Sequence, residues 1–294
     1  MIKEKIQLWS EWEDVYLSYC KSPESEEKDN KKSPAVIVCP GGGYLRTADK
    51  EAEPVAYKFA KNGFKAFVLR YSTNWTGHSE FPQPLFDLAK AILILRKNAD
   101  EWGIDSNKVV LCGFSAGGHL VASMSTSWNK EFILEKFKSE GITDNEIFKP
   151  NNVILGYPVV DQSYSAEEWT QTDANGNVID LRALANKTIY GKEQPSEEEQ
   201  YNMSPVNFVS QNTPPTFIWH TFEDDMVDVK GSVEYGAELT KNKVPFELHI
   251  FEKGPHALSV CDESTTNDPG QLKLTARAWF ELALNWLFNS WDNN

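Results

Sequence analysis

No run of 18 apolar residues occurs in this chain, so no segment has the length of a helix that spans a bilayer. The opening residues, Met1 to Ile6, mix charged and apolar side chains and lack the continuous apolar stretch of a secretory signal. The expected compartment is therefore the cytoplasm. Cysteine is scarce: Cys20, Cys39, Cys112 and Cys261 include no Cys-x-x-Cys pair, and two of them fall in or at the end of interior strands. They read as small buried hydrophobes in a reducing compartment, not as a disulfide frame or a zinc site. Positive charge is also short, with 29 Lys and Arg against 43 Asp and Glu and a net charge of -14. Without basic patches, neither nucleic acid nor an anionic membrane is an expected partner. A Gly-x-x-x-x-Gly-Lys-Ser/Thr phosphate loop is missing too, and no internal repeat is visible. No cofactor and no metal are expected.

What the chain does contain is an alternation of short apolar runs and amphipathic stretches. Strands are predicted at 15–20, 35–39, 67–71, 109–112, 153–158, 216–220 and 246–251. Helices are predicted at 53–62, 82–102, from Ala116 onward, at 229–242 and at 272–288. In the last of these, Leu272, Ala276, Trp279, Ala283 and Trp286 share one face. Strand and helix in alternation call for an α/β fold, with a mostly parallel central sheet and helices on both faces. Residues 1–294 are read as one domain. The polar stretch 21–32 reads as a solvated loop, and 162–215, with its Asn175-Gly176 turn signal, as a small insertion over the top of the sheet.

The chemistry is expected at Gly113-Phe114-Ser115-Ala116-Gly117. This pentapeptide lies between the β-branched run at 109–112 and a helix carrying Leu120, Val121 and Met124. A serine forced into so tight a strand-to-helix turn presents its hydroxyl at the sheet edge, with glycines on either side leaving room. Without that context Ser115 would be an ordinary helix cap.

A serine hydroxyl needs a base, usually a histidine oriented by a carboxylate. Of five histidines, His119 lies one turn into the elbow helix, His249 sits inside a strand, His220 ends one and His78 lies in an earlier polar loop. Only His256 follows a late strand, at the sheet end where ligands and catalytic groups collect in open α/β sheets. Among acids, Glu223, Asp224 and Asp225 follow the strand at 216–220. Spacing to the strand end favours Asp224, with Asp225, Glu223 and Asp161 as alternatives. Ser115, Asp224, His256 is the chain order of one class of hydrolase. A second glycine-rich turn, Gly41-Gly42-Gly43, follows the strand at 35–39 and is able to aim backbone N–H groups at one point.

The glycine run, the elbow from Gly113 to His119, the strand around Trp219 and the Glu252 to His256 loop together resemble the α/β-hydrolase superfamily, and within it the carbohydrate esterase and acetyl xylan esterase-like branch. The resemblance spans about residues 36 to 287. It implies the α/β-hydrolase fold and a triad of Ser115, Asp224 and His256. It also implies an oxyanion hole formed by the N–H groups of Gly42 or Gly43 with that of Ala116. Many such esterases carry histidine where this chain has Pro40, so the resemblance leaves open what anchors the glycine loop.

The implied substrate is a small-molecule or oligosaccharide ester, in particular an acetylated sugar. Trp75 and Trp169 could stack on a sugar ring, and with Tyr44 beside the glycines they are the candidate substrate contacts. Glu51 and Glu53 read as solvated residues at a helix start. Competing readings are a general short-chain carboxylesterase, a peptidase or aryl formamidase of the same fold, and a binding protein on a hydrolase scaffold. A lipase is disfavoured, because the 162–215 stretch is too polar to expose an apolar lid.

Overall fold

A computed structural model describes residues 2, 4–21, 32–164, 169–172 and 176–292. Most of the 21–32 segment and Asn175 lie outside the described residues. The chain opens with β1 (Lys5–Trp9) and β2 (Trp12–Cys20), followed by β3 (Ser33–Cys39), α1 (Glu53–Lys61), β4 (Lys65–Arg70), α2 (Gln83–Lys97) and α3 (Ala99–Trp102). The centre comprises β5 (Ile104–Phe114), α4 (Ser115–Ser127), α5 (Glu131–Phe137) and β6 (Asn152–Gly156). Between residues 162 and 215 lie the short strands β7 (Thr170–Thr172) and β8 (Val178–Asp180), then α6 (Leu181–Tyr190) and α7 (Glu197–Asn202). The chain then runs through β9 (Thr216–Thr221), α8 (Val229–Lys241), β10 (Phe246–Phe251) and α9 (Trp279–Asp292).

Eight strands form one sheet in the order β1-β2-β4-β3-β5-β6-β9-β10. β1 and β2 are antiparallel, as are β2 and β4, and the remaining neighbours are parallel. Alternation along β5 shows how the sheet divides the core. Val109 and Leu111 face a layer that includes Leu88, Ile92 and Leu120, while Val110, Cys112 and Phe114 face Phe59, Trp279 and Phe280. Parallel strands covered on both faces need such continuous apolar runs. All four cysteines are free and buried, as their spacing suggested. Among the described residues, no helix is long and apolar enough to cross a membrane.

The structure corrects the sequence reading at several elements. β1 was not predicted; it is held in place because Trp9 Nε1 donates at 2.7 Å to the buried carboxylate of Asp87 on α2, a contact 78 residues away in sequence. Asp87 also accepts from the Ser72 N–H and from Gln83 Nε2, each at 2.8 Å, so the buried acid is well provided with donors. The helix predicted at 82–102 breaks at Asn98, whose φ of -104° and ψ of 10° end α2 before α3 begins. The closing helix starts at Trp279, not at 272, because Leu274 is extended (φ -66°, ψ 138°) between two 3-10 turns. α5 had also gone unpredicted.

Candidate active site

β5 passes into α4 with no residue between Phe114 and Ser115. Ser115 has φ of 52°, a left-handed conformation that side-chain-bearing residues adopt at a cost. Neither flanking glycine needs a positive φ. Each is demanded by close approach: a Cβ on Gly117 would strike the Cys39 carbonyl oxygen, and one on Gly113 the carbonyl of Gly117. The elbow is therefore wedged between its own helix and the end of β3.

The Ser115 hydroxyl meets Nε2 of His256 at 2.9 Å, and Nδ1 of that ring meets Oδ2 of Asp224 at 2.7 Å. Asp224 follows β9, and His256 lies five residues beyond β10. Proton roles follow from the partners. A carboxylate only accepts, so Nδ1 carries the hydrogen and Nε2 keeps a lone pair for the serine proton. Asp224 has a side chain 0% exposed. Burial would raise its carboxyl, but hydrogen bonds and charge from His220 and His256 hold it well below the usual carboxylate range. Its Oδ1 accepts from the N–H groups of Met226 and Val227 at 3.0 and 2.9 Å. The structure thus brings Ser115, Asp224 and His256 into one hydrogen-bonded chain. Glu223 instead pairs with Lys253 at 2.6 Å.

His220 is a partner that sequence reasoning missed. It lies within β9, fully buried, and its Nε2 approaches Asp224 Oδ2 at 3.1 Å and the Val227 carbonyl at 3.0 Å. Both partners are acceptors, so Nε2 carries the hydrogen, and Nδ1 meets the Ser232 hydroxyl at 2.8 Å. The i, i+4 spacing of His220 and Asp224 was the only sequence signal.

The glycine loop leaves β3 at Pro40. Tyr71 donates its hydroxyl to the Pro40 carbonyl at 2.6 Å, and the Gly41 N–H donates to Glu51 at 2.8 Å. These two bonds supply the anchoring left open by the absent histidine. Gly42 and Gly43 adopt φ of 119° and 63°, and among the described residues their N–H groups have no protein acceptor. The N–H of Ala116 belongs to the first turn of α4, where helix donors lack partners and no side chain caps them. Donors in such positions are suited to a developing negative oxygen.

Glu51 is not a solvated helix-start residue. It is 1% exposed, rolled inward by the 3-10 turn Asp49–Glu51, and a helix-start position in sequence carries no sign of that. Glu53 pairs with Arg70 at 2.5 Å.

A cavity of about 340 Å³ opens over Ser115, lined by Gly42, Gly43, Tyr44, Glu51, Ala116 and His256 on one side and by Gln162, Trp169, Arg182, Asn186 and Ile189 on another. Trp169 packs on the glycine loop so closely that a Cβ on Gly43 would enter its ring. Tyr44 is buried, and its hydroxyl meets His119 Nδ1 at 2.7 Å. Trp75 is not brought into the cavity wall; it is 75% exposed, with the Arg46 guanidinium 5.7 Å from its ring centroid.

His119 points into packing, as its place on the helix implied. Nε2 meets the Met203 carbonyl at 2.7 Å, so Nδ1 accepts from Tyr44. Burial pushes its pKa down to about 4, against a smaller upward pull from the Met203 carbonyl. Between pH 6.5 and about 4 the unfolded chain protonates this group while the folded chain does not, so stability is full above 6.5 and declines as pH falls. Its contribution to that loss is about 3 kcal/mol at most. Denaturant titrations are expected to show His119→Gln with a flatter dependence over this window than the parent, whatever its absolute stability. Equal slopes would refute the assignment.

The elbow, the largely parallel sheet and the loops gathered at its carboxyl end define an α/β hydrolase. The BD-FAE family model matches residues 23–239, and the chain belongs to that family, within the esterase branch of the α/β hydrolases. It is 34% identical over 238 residues to endo-1,4-beta-xylanase B of Butyrivibrio fibrisolvens, covering 80% of this chain and 34% of the relative. With the acetylxylan esterase of Xylanibacter ruminicola it shares 27% identity, covering 78% of this chain and 42% of that one. The chain thus spans less than half the length of these two relatives. The crystal structure of an acetyl ester-xyloside bifunctional hydrolase from Caldicellulosiruptor lactoaceticus superposes with a TM-score of 0.73 at 29% identity, covering 97% of this chain and 95% of that one.

Proposed function

We propose that the protein is a serine carboxylic-ester hydrolase that removes acetyl groups from acetylated sugars or xylo-oligosaccharides. The observation that carries this reading is the continuous chain from the Ser115 hydroxyl through His256 to Asp224, beside the open N–H groups of Gly42, Gly43 and Ala116. Ser115 Oγ attacks the acyl carbonyl as its proton passes to His256 Nε2, and Asp224 stabilises the imidazolium. The carbonyl oxygen becomes an oxyanion facing the glycine loop and the start of α4. Each well-placed donor there is worth about 3 kcal/mol. Collapse expels the alcohol, which takes the proton from His256, and leaves the acyl group on Ser115. Water then attacks with His256 again as base, releasing the acid and restoring the serine.

The sugar half of the proposal draws on the relatives, two of which are named for acetyl esters of xylan or xylosides. It draws also on the cavity wall, where Gln162, Asn186 and Arg182 offer hydrogen-bonding groups and Trp169 offers a ring face. The test is acetate release from acetylated xylo-oligosaccharides compared with p-nitrophenyl acetate, butyrate and octanoate. The expected outcome is a strong preference for the sugar acetates. Equal rates on butyrate would replace this reading with a general short-chain esterase, and no turnover of any ester would leave a binding protein on a hydrolase scaffold.

A further inference from the structure

A buried acid outside the Ser115–His256–Asp224 chain stands between the two loops that complete the site. The Oε2 atom of Glu51 accepts from the Gly41 N–H at 2.8 Å, and its Oε1 from the Tyr157 hydroxyl at 2.7 Å. Tyr157 Oη in turn accepts from the Ser259 N–H at 2.9 Å, and the Ser259 hydroxyl donates to the Lys50 carbonyl at 2.5 Å. Proton inventory leaves one arrangement. Backbone N–H groups can only donate, so the single phenol proton is directed at Glu51, and both carboxylate oxygens accept. Through the Lys50–Glu51 peptide bond these contacts close a ring that clamps Ser259 on two sides.

One end of this network fixes the glycine loop at a place with no slack: a Cβ on Gly41 would stand 2.7 Å from Glu51 Oε2 and 2.8 Å from Ser115 Cβ. The other end lies three residues beyond His256, in a loop where Ala257, Ser259 and Cys261 have φ of 62°, 54° and 53°. Non-glycine residues hold such angles only where their surroundings impose them. Tyr157, itself at φ 36°, also sets its ring edge-to-face against the His256 imidazole, with centroids 5.0 Å apart and planes at 69°.

We propose that Glu51 is a positioning residue that holds the glycine loop and the His256 loop in register, by accepting at once from Gly41 and Tyr157. The inference rests on the ester-hydrolase reading above. Two donors converge on this side chain, and only a carboxylate offers each of them an acceptor. Glutamine has the same shape but turns its NH2 toward one of them. The consequence is a small displacement of the N–H donors relative to the imidazole, which matters once the tetrahedral oxygen forms and much less when substrate first binds.

The test measures kcat and KM on p-nitrophenyl acetate for the parent, Glu51→Gln, Tyr157→Phe and the double variant, with circular dichroism to establish folding. In both single variants kcat is expected to fall between about 10- and 100-fold while KM stays within about twofold. The double variant is expected to be no worse than the weaker single, because both changes break one unit. A folded Glu51→Gln protein with parental kcat overturns the proposal, as do multiplied effects or a change confined to KM. Should Glu51→Gln fail to fold, Tyr157→Phe decides, since it severs the same link and leaves the Gly41 bond in place. Parental kcat in that variant is then the refuting result. Failure of the hydrolase reading looks different: the parent itself would not turn over the ester, or Ser115→Ala would retain activity.

Discussion

Ser115→Ala is expected to lower kcat on p-nitrophenyl acetate by at least about 10⁴-fold, to a residue of activity that the rest of the site supplies. The loss is that large because the hydroxyl is the group held against the base, 2.9 Å from His256 Nε2. With the hydroxyl gone, the imidazole has only water to activate, and the proposed acyl-enzyme route is closed. The fold is expected to survive. Ser115 is half-buried, and alanine fits the same space and takes up the same φ of 52°. The change in stability is expected to stay within about 1 kcal/mol. Steady-state kinetics and a thermal melt on the same preparation check both halves, and substantial turnover by a folded variant would sink the serine mechanism.

Asp224→Asn ranks second, with an expected fall in kcat of roughly 10³- to 10⁴-fold. The reason lies in the four groups around the carboxylate. Oδ1 accepts from the N–H groups of Met226 and Val227, so an asparagine keeps its carbonyl oxygen there and turns its NH2 toward the histidines. The His256 ring must then accept at Nδ1 and carry its hydrogen on Nε2, facing Ser115 as a donor unable to take the serine proton. Acid behaviour should change in the same variant. Because the folded carboxyl lies below its usual range, Asp224 stabilises the fold above about pH 4 and that contribution drains away as pH falls further. The asparagine protein is therefore expected to be less stable at neutral pH and to show a shallower loss in strong acid. Chevron or melt data from pH 7 to 2 check this, and unchanged neutral stability would contradict it.

Much of the architecture was legible because it rests on local pattern. Buried parallel strands such as β3 and β5 need unbroken apolar runs, and α1 and α8 carry clear apolar stripes and end signals. What escaped was of two kinds, a distant contact and local breaks. β1 is short and rests on an antiparallel partner and on Trp9 reaching Asp87. The break at Asn98 and the late start of α9 are local conformations inside segments whose apolar spacing continues across them.

The candidate site divides in the same way. Ser115, His256 and the glycine run each follow a strand in an order that backbone chemistry makes meaningful, so sequence by itself determined which loops converge. Spacing to the strand end favoured Asp224 among the acids, with Asp225, Glu223 and Asp161 as alternatives. Tertiary structure sets Asp224 against His256 and turns Glu223 to Lys253. It alone placed Trp75 outside the cavity wall, gave Asp224 a second histidine in His220, and buried Glu51 against Tyr157 across 106 residues. The physical reason is range. Turn and strand propensities act over a few neighbours and are written in the sequence, whereas burial and hydrogen-bond partnership depend on which distant segments the folded sheet brings within 3 Å.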